Sequence, residues 1–198
     1  NLPAVQLRLG DKIRQEGETS YLALYPTPKW FTNNQKKIDQ VLIWSLIRKE
    51  SSFYLKAKSP RGARGLMQIM PSTARVVTGN RSIRGSNLWK LNDLDYNISI
   101  GQDLLLRLMN KEDISDSLIP VLISWNAGPT KYKKWNKKIK MHSDPLLYIE
   151  SIPSYETRWF VKEVLKNMWI YRDKFKQDKP SRRELSNNSW PKYKNLSF

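Results

Sequence analysis

After Ser154 the apolar side chains Phe160, Val161, Val164, Leu165, Met168, Tyr171 and Phe175 return to one face every three or four residues. That is the period of an α-helix, and a helix with such a stripe must bury it against other elements. No stretch shows the strict alternation of a half-buried strand, so those elements are expected to be helices and the fold class all-α. Ser154 reads as the N-cap of this longest helix and Lys179-Pro180 as its stop. Gln35 to Lys49 repeats the pattern: Ile38, Leu42, Trp44 or Ser45, and Leu46 share a face that Ile43 and Ile47 widen. Pro71 opens a short helix that Gly79 ends, because a first-turn proline gives up an N–H that would have no partner there. Asp95 to Met109 carries Ile98, Leu104, Leu105 and Leu108, and Asp116 and Ser117 cap a helix over Leu118 to Trp125. Thr78 to Asn92 reads as a long loop, and Asn126-Ala127-Gly128-Pro129 as a break.

The 198 residues, 39% of them hydrophobic, suffice for one domain with its own core. There is no Cys and a single His, His142. Disulfide scaffolds, zinc ribbons, thiol nucleophiles and paired-histidine zinc sites are thereby excluded, leaving carboxylates, hydroxyls and backbone to carry any chemistry. Asp93-Leu94-Asp95 lacks the ligand series of a calcium loop, so no metal or cofactor is expected. Val41 to Ile47, the longest apolar stretch, is far below the ~20 residues of a membrane-spanning helix. With 35 Lys+Arg against 18 Asp+Glu the net charge is +17, which implies an acidic partner surface: nucleic acid, anionic lipid headgroups or an anionic wall polymer. The chain starts at Asn1 without Met or export signal and is expected to be a processed product or part of something longer. Residues 1–20, with Leu7, Leu9 and Ile13 among polar neighbours, form an N-terminal segment; 21–179 form the body; 180–198 form a polar tail that Trp190 and Tyr193 could pin.

Glu50 stands out before any family is considered. It lies three and four positions after Ile47 and Leu46, so helical geometry sets its carboxyl at the end of the apolar stripe. Partial burial and the negative end of a helix both disfavour the charged form, which suits a general acid that must donate a proton to a leaving oxygen. Arg48 and Lys49 would act the other way if they approach it. Position alone equally fits a solvated helix-terminal Glu.

The surrounding residues supply more. Glu50-Ser51-Ser52-Phe53, then Ser59-Pro60-Arg61-Gly62-Ala63-Arg64-Gly65-Leu66-Met67-Gln68-Ile69-Met70-Pro71-Ser72-Thr73-Ala74, are followed by Asn97-Ile98 with Gly101 and by Ser124-Trp125-Asn126-Ala127-Gly128-Pro129. Glu150-Ser151-Ile152-Pro153, Glu156-Thr157-Arg158 and Val161-Lys162 with Val164-Leu165 complete the series. In order and spacing these blocks, spanning about Tyr25 to Lys179, resemble the catalytic domain of the soluble lytic murein transglycosylases, of goose-type lysozyme-like fold. The resemblance implies cleavage of the β-1,4 bond between N-acetylmuramic acid and N-acetylglucosamine in peptidoglycan, with a 1,6-anhydromuramyl product. Glu50 matches the family's single catalytic acid, which protonates the glycosidic oxygen and then, as carboxylate, takes the proton of the attacking C6 hydroxyl. Support from the substrate's N-acetyl group would explain why no second carboxylate lies nearby in sequence, although folding could bring Asp93, Asp95, Glu150 or Glu156 close.

Further positions carry over singly. Ser59 matches a groove serine, or caps the loop before Pro60. Gly62 and Gly65 match backbone positions that turn sharply or approach ligand. Gln68 matches a groove residue offering donor and acceptor, and Met70 one that touches a sugar face, while Met67 reads as core. Trp125 stands where the family usually has tyrosine; its indole can donate or stack but not accept. Asn126 would hold backbone or a sugar amide, or cap a helix ahead of Gly128, with Ala127 and Gly128 as loop support. Glu156 matches a groove carboxylate and also suits the first turn of a helix, and Glu150 reads as structural or as backing a site residue.

Lys131, Lys133, Lys134, Lys137, Lys138 and Lys140 surround Tyr132, Trp135 and Ile139, a mixture that nucleic-acid binders also show. The 132/135/139 spacing turns those apolar residues to the core and leaves a solvated lysine face, and no nucleic-acid signature accompanies it, so no nucleic-acid partner is expected. Peptidoglycan strands, with an upstream helical domain or wall proteins as further partners, are what the resemblance implies, together with a periplasmic or envelope location. Rival readings are a non-catalytic wall-binding module and a hydrolytic lysozyme.

Overall fold

The computed structural model describes residues 2–30, 37–141 and 143–196; Gln35, where the second stripe was expected to begin, and His142 lie outside them. Ten α-helices and one longer 3-10 helix are found among these residues, with only isolated β-bridges such as Lys58 with Arg64 and Arg64 with Ile69. The all-α class expected from the periodicity is what the chain adopts. It divides into two units, residues 1–37 with 46–103 and residues 38–45 with 104–198.

In the first unit α1 (Pro3–Gln15) packs on α2 (Tyr21–Leu24), where Leu7, Ala23 and Leu24 are buried. Gly10 is required at that contact, since a Cβ there would come within 2.8 Å of the Leu24 backbone nitrogen. The second half of α3 (Gln40–Ser51) supplies Leu46 and Ile47 to a core shared with Leu66, Met67, Ile69, Leu91 and Ile98. The loop after α3 leads to α4 (Pro71–Thr78), where Pro71 starts and a left-handed Gly79 ends the helix as the sequence indicated. Residues 78–92 are not all loop: Gly85–Asn92 is a 3-10 helix that buries Leu91. A short 3-10 segment carries too few residues to imprint a period, so only its turn-forming composition shows in the sequence. α5 (Leu94–Met109) completes this unit with its first ten residues.

In the second unit α6 (Leu118–Ala127) is apolar all round, and its first seven residues are buried. Such a helix belongs at the centre of a core, and it packs on α7 (Pro129–Asn136) and on α9 (Tyr155–Lys174). Ser117 is its N-cap residue, but the hydroxyl makes no capping bond. α8 (Pro145–Glu150) is capped by Asp144, whose carboxylate accepts from the Leu146 and Leu147 N–H groups at 2.9 Å each. Ser154 caps α9 through the Thr157 N–H at 3.2 Å. From Val41 to Trp44 the first half of α3 is buried, with Trp44 stacked 5.5 Å from Phe175 and tilted 5.6 Å from Tyr171.

The largest departures from the expected boundaries are the start of α3 and the end of α9. α3 begins at Gln40, because Asp39 turns its carboxylate back onto the Val41 N–H at 2.8 Å. α9 ends at Lys174, before Lys179-Pro180. Lys176 takes a left-handed φ of 53°, and the Lys176 and Gln177 N–H groups reach back to Asp173 and Arg172 carbonyls. This is the glycine-type helix stop made by a lysine, and no glycine announces it. Pro180 then opens α10 (Pro180–Ser186) instead of closing α9. The polar tail is tied down: Trp190 packs edge-on to Tyr148 at 4.9 Å, Pro191 accepts from the Leu118 N–H at 2.8 Å, and the Tyr193 hydroxyl accepts from the Asp39 N–H at 2.8 Å.

Candidate active site

Glu50 is the penultimate residue of α3 and is half-buried, three and four positions after the fully buried Ile47 and Leu46. Arg48, two residues earlier, donates from Nε to the Leu24 carbonyl at 2.9 Å and lies 4.4 Å above the Tyr25 ring. Its charge is thus engaged with α2. The helix stops abruptly because Ser52 and Phe53 both adopt left-handed φ values, 50° and 64°. Such a φ is costly for a bulky residue and persists only when the surroundings enforce it. Here Phe53 is buried and packs 6.0 Å from Trp30.

The loop that follows folds back on itself. The Ser59 and Ala63 backbones pair at 3.0 Å, and the Ser59 hydroxyl accepts from the Ala63 N–H at 3.0 Å. Its loop-capping role is therefore made, with the hydroxyl proton still available for donation. Arg64 and Ile69 exchange both backbone hydrogen bonds, at 3.0 and 3.1 Å. Between them Gln68 holds a φ of 48°, and its Nε2 donates to the Gly65 carbonyl at 2.8 Å and the Ala57 carbonyl at 3.2 Å. The amide is satisfied by loop backbone on its donor side, so its Oε1 is the end left for a ligand. Met67 is fully buried and Met70 is exposed at the N-cap of α4.

Asn97, fully buried on α5, fixes this loop. It accepts from the Met67 N–H at 2.8 Å and donates to the Arg64 and Leu91 carbonyls at 3.0 and 2.8 Å. Gly65 has φ 76°, and a Cβ on it would fall 2.2 Å from the Leu91 oxygen and 2.4 Å from the Asn97 amide. The close approach of Gly65 is to its own protein. Gly62 has φ 87° but open space around it, so it serves the turn alone. Gly101 faces Met67, whose sulfur would be 2.3 Å from any Cβ. Sequence reasoning gave Asn97 and Gly101 no site role; a polar residue inside the α5 apolar stripe was the available signal.

The second unit carries the remaining candidates. Trp125, Asn126 and Ala127 form the last turn of α6, all half-buried, and Gly128 at φ 89° lets α7 start at once. The expected break is thus a single residue. Asn126 Oδ1 accepts from the Thr157 hydroxyl at 2.7 Å, which joins the end of α6 to the first turn of α9, where Glu156 is exposed. The Ser124 hydroxyl, before Trp125, is buried without a hydrogen-bond partner among the described residues. Glu150 pairs with Lys162 at 2.9 Å on the surface. Tyr155 and Trp159, beside Glu156 and one helical turn apart, are exposed and were not singled out from the sequence. Their spacing, off the core stripe of α9, was the signal for them. Among the described residues no group of three His, Cys, Asp or Glu side chains could hold a metal ion, and no helix is long and apolar enough to cross a membrane.

Residues 30–146, which hold Glu50, the loop and the end of α6, match the family model described as Transglycosylase SLT domain. The chain belongs to the SLT transglycosylase family. It is similar to the soluble lytic murein transglycosylase of Escherichia coli K12, 35% identical over 175 residues that make up 88% of this chain and 26% of that protein. To its Salmonella typhimurium counterpart it is 36% identical over 140 residues, 69% of this chain and 21% of that one. The chain thus spans about a quarter of the length of the curated relatives it matches. The structure of the 70 kDa soluble lytic transglycosylase from E. coli superposes with a TM-score of 0.77 at 28% identity, over 96% of this chain and 31% of that one. An inactive glutamate-to-glutamine mutant of the lytic transglycosylase Slt from Pseudomonas aeruginosa does so with a TM-score of 0.68 at 26% identity, over 97% and 32%.

Proposed function

We propose that this SLT-family chain is a peptidoglycan lytic transglycosylase, cleaving the β-1,4 bond between N-acetylmuramic acid and N-acetylglucosamine with Glu50 as its acid and base. The observation that carries the reading is the placement of Glu50: a half-buried carboxyl on the last turn of α3, followed by a loop that Asn97 and Gly65 hold in shape. That a glutamate-to-glutamine mutant of the Pseudomonas relative is inactive accords with it.

In this reading the neutral Glu50 gives its proton to the glycosidic oxygen as the C1–O bond breaks. The resulting carboxylate then removes the proton of the muramyl C6 hydroxyl as that oxygen bonds to C1, which restores the acid and closes the 1,6-anhydro ring. The substrate's own N-acetyl group supports the positive charge between the steps, so one carboxyl suffices and no cofactor is needed. Gln68 Oε1 and the Ser59 hydroxyl proton offer hydrogen bonds to sugar, and Met70 offers apolar contact. In the second unit, Trp125, Asn126 and Glu156 match the family's sugar-contacting positions, and Tyr155 and Trp159 are exposed rings. An indole at position 125 stacks or donates where a tyrosine would also accept. The substrate implies an envelope location.

Mass spectrometry of purified peptidoglycan digested by the wild-type chain and by Glu50→Gln tests this. Anhydromuropeptides from the first and none from the second are expected. Products heavier by one water would make the chain a lysozyme, and a wild type that pellets with the wall yet releases nothing would make it a binding module.

A further inference from the structure

The chemistry proposed for Glu50 makes no use of the lysines after Gly128. Lys131, Lys133, Lys134, Lys137, Lys138 and Lys140 are all exposed, while Tyr132 and Ile139 are buried and Trp135 is half-buried. α7 and the turn after it therefore put their apolar side chains inward and their cations outward. Tyr132 is anchored there by its hydroxyl, which donates to the Asp113 carbonyl at 2.9 Å. None of the six ammonium groups has a carboxylate within 4.0 Å among the described residues. Asp144, the next acidic residue along the chain, is occupied in capping α8. Lys133 and Lys134 suit the negative end of α7, but that explains two cations, not six.

Three exposed apolar side chains follow these cations in the chain, Met141 directly after Lys140. Met141, Leu146 and Leu147 are 44%, 53% and 46% exposed. A hydrogen bond from the Tyr148 hydroxyl to Asn136 Oδ1, at 2.7 Å, ties α8 to the end of α7. The start of α8, with both leucines, is thereby tethered to the end of the lysine-bearing helix. α8 buries Pro145, Tyr148 and Ile149 on its other side, so Leu146 and Leu147 are not leftover core.

We infer that this ridge is a docking surface for an anionic lipid bilayer. Unpaired cations are complementary to any polyanion, and the exposed apolar groups beside them choose among polyanions. A bilayer presents hydrocarbon directly beneath its charged headgroups, where Met141 and the two leucines can insert while the lysines stay at the phosphates. Nucleic acid would call for exposed flat rings, whereas Tyr132 is buried and Trp135 half-buried. The carboxylates of a glycan's stem peptides give methionine and leucine nothing to insert into. This inference concerns attachment and stands apart from the chemistry proposed for Glu50.

The test is co-sedimentation of the chain with phosphatidylcholine vesicles that contain or lack phosphatidylglycerol, at about 100 mM salt. Binding only to the anionic vesicles is expected. Each lysine near such a surface contributes about fivefold, so Lys131→Gln with Lys134→Gln and Lys138→Gln should weaken binding on the order of a hundredfold. Leu146→Ser with Leu147→Ser should remove the binding that survives high salt. A control with three exposed cations neutralised elsewhere, Arg8→Gln, Lys12→Gln and Lys90→Gln, should lose less than about tenfold. Unchanged thermal unfolding midpoints would show that each variant is folded. The inference is overturned if wild type ignores anionic vesicles, if the control loses as much as the ridge variant, or if purified wall captures the chain and vesicles do not.

Discussion

Asn97 makes three hydrogen bonds from a fully buried position, and all three go to backbone that carries or flanks the Gln68 loop. Truncation would strand the Met67 N–H and two carbonyls where water does not replace the partner, at about 1–3 kcal/mol for a stranded group. Asn97→Ala is expected to lower stability by about 3 kcal/mol in denaturant unfolding. Gly62 and Gly65 look alike in sequence and both have positive φ, but only Gly65 is crowded. Gly62→Ala should therefore cost about 1–2 kcal/mol, the left-handed penalty alone, and Gly65→Ala markedly more in the same experiment, because a Cβ must displace the Leu91 carbonyl.

At the level of elements, the second unit is closed by a buried polar knot. Asp39, at the start of α3, pairs with Arg172, near the end of α9, with side chains 1% and 4% exposed. Arg172 also donates to Gln177 Oε1 at 2.5 Å and to the Leu196 carbonyl at 3.5 Å, while the Asp39 N–H reaches Tyr193. Burial lowers the pKa of the Arg172 guanidinium, but Tyr193 and Asp178 oppose this. Removing one member leaves a buried charge without its partner, so Arg172→Met is expected to destabilise by about 3–5 kcal/mol. Adding Asp39→Asn should restore part of that loss in thermal unfolding, which would separate the unpaired charge from lost packing.

For the whole molecule, stability should depend on pH through phenols. Burial, aided by Asp113, pushes Tyr132 up to about 12, and burial pushes Tyr193 up to about 12 against the pull of Arg172. Burial raises Tyr148 as well, with Tyr132 adding to it. A phenol whose folded pKa exceeds its unfolded value of 10 holds its proton more tightly when folded. That contribution is fully present below pH 10 and is lost as pH rises from 10 towards 12. Thermal midpoints measured across this window should fall, and Tyr132→Phe should fall less steeply from its own starting value. The net charge of +17 bears on a different property, the choice of acidic partners, and not on which fold forms.

The sequence by itself determined the helices that carry long apolar stripes, the proline and glycine ends of α4, the Ser154 cap, and the ordered blocks that mark the family. These are local: period, cap and motif are properties of neighbouring residues, and they read without knowing what the helix packs on. Tertiary structure alone decided that Lys176 ends α9 where no glycine stands, that Pro180 begins a helix, and that the polar tail is pinned by Trp190 and Tyr193. It also decided that Gly65 answers to Leu91 and Asn97, and that Gln68 spends its donors on loop carbonyls. Each of these depends on a contact with residues distant in the chain or on a backbone conformation held by packing. Propensity and spacing carry no record of such contacts, because the energy that selects them exists only once the chain has folded.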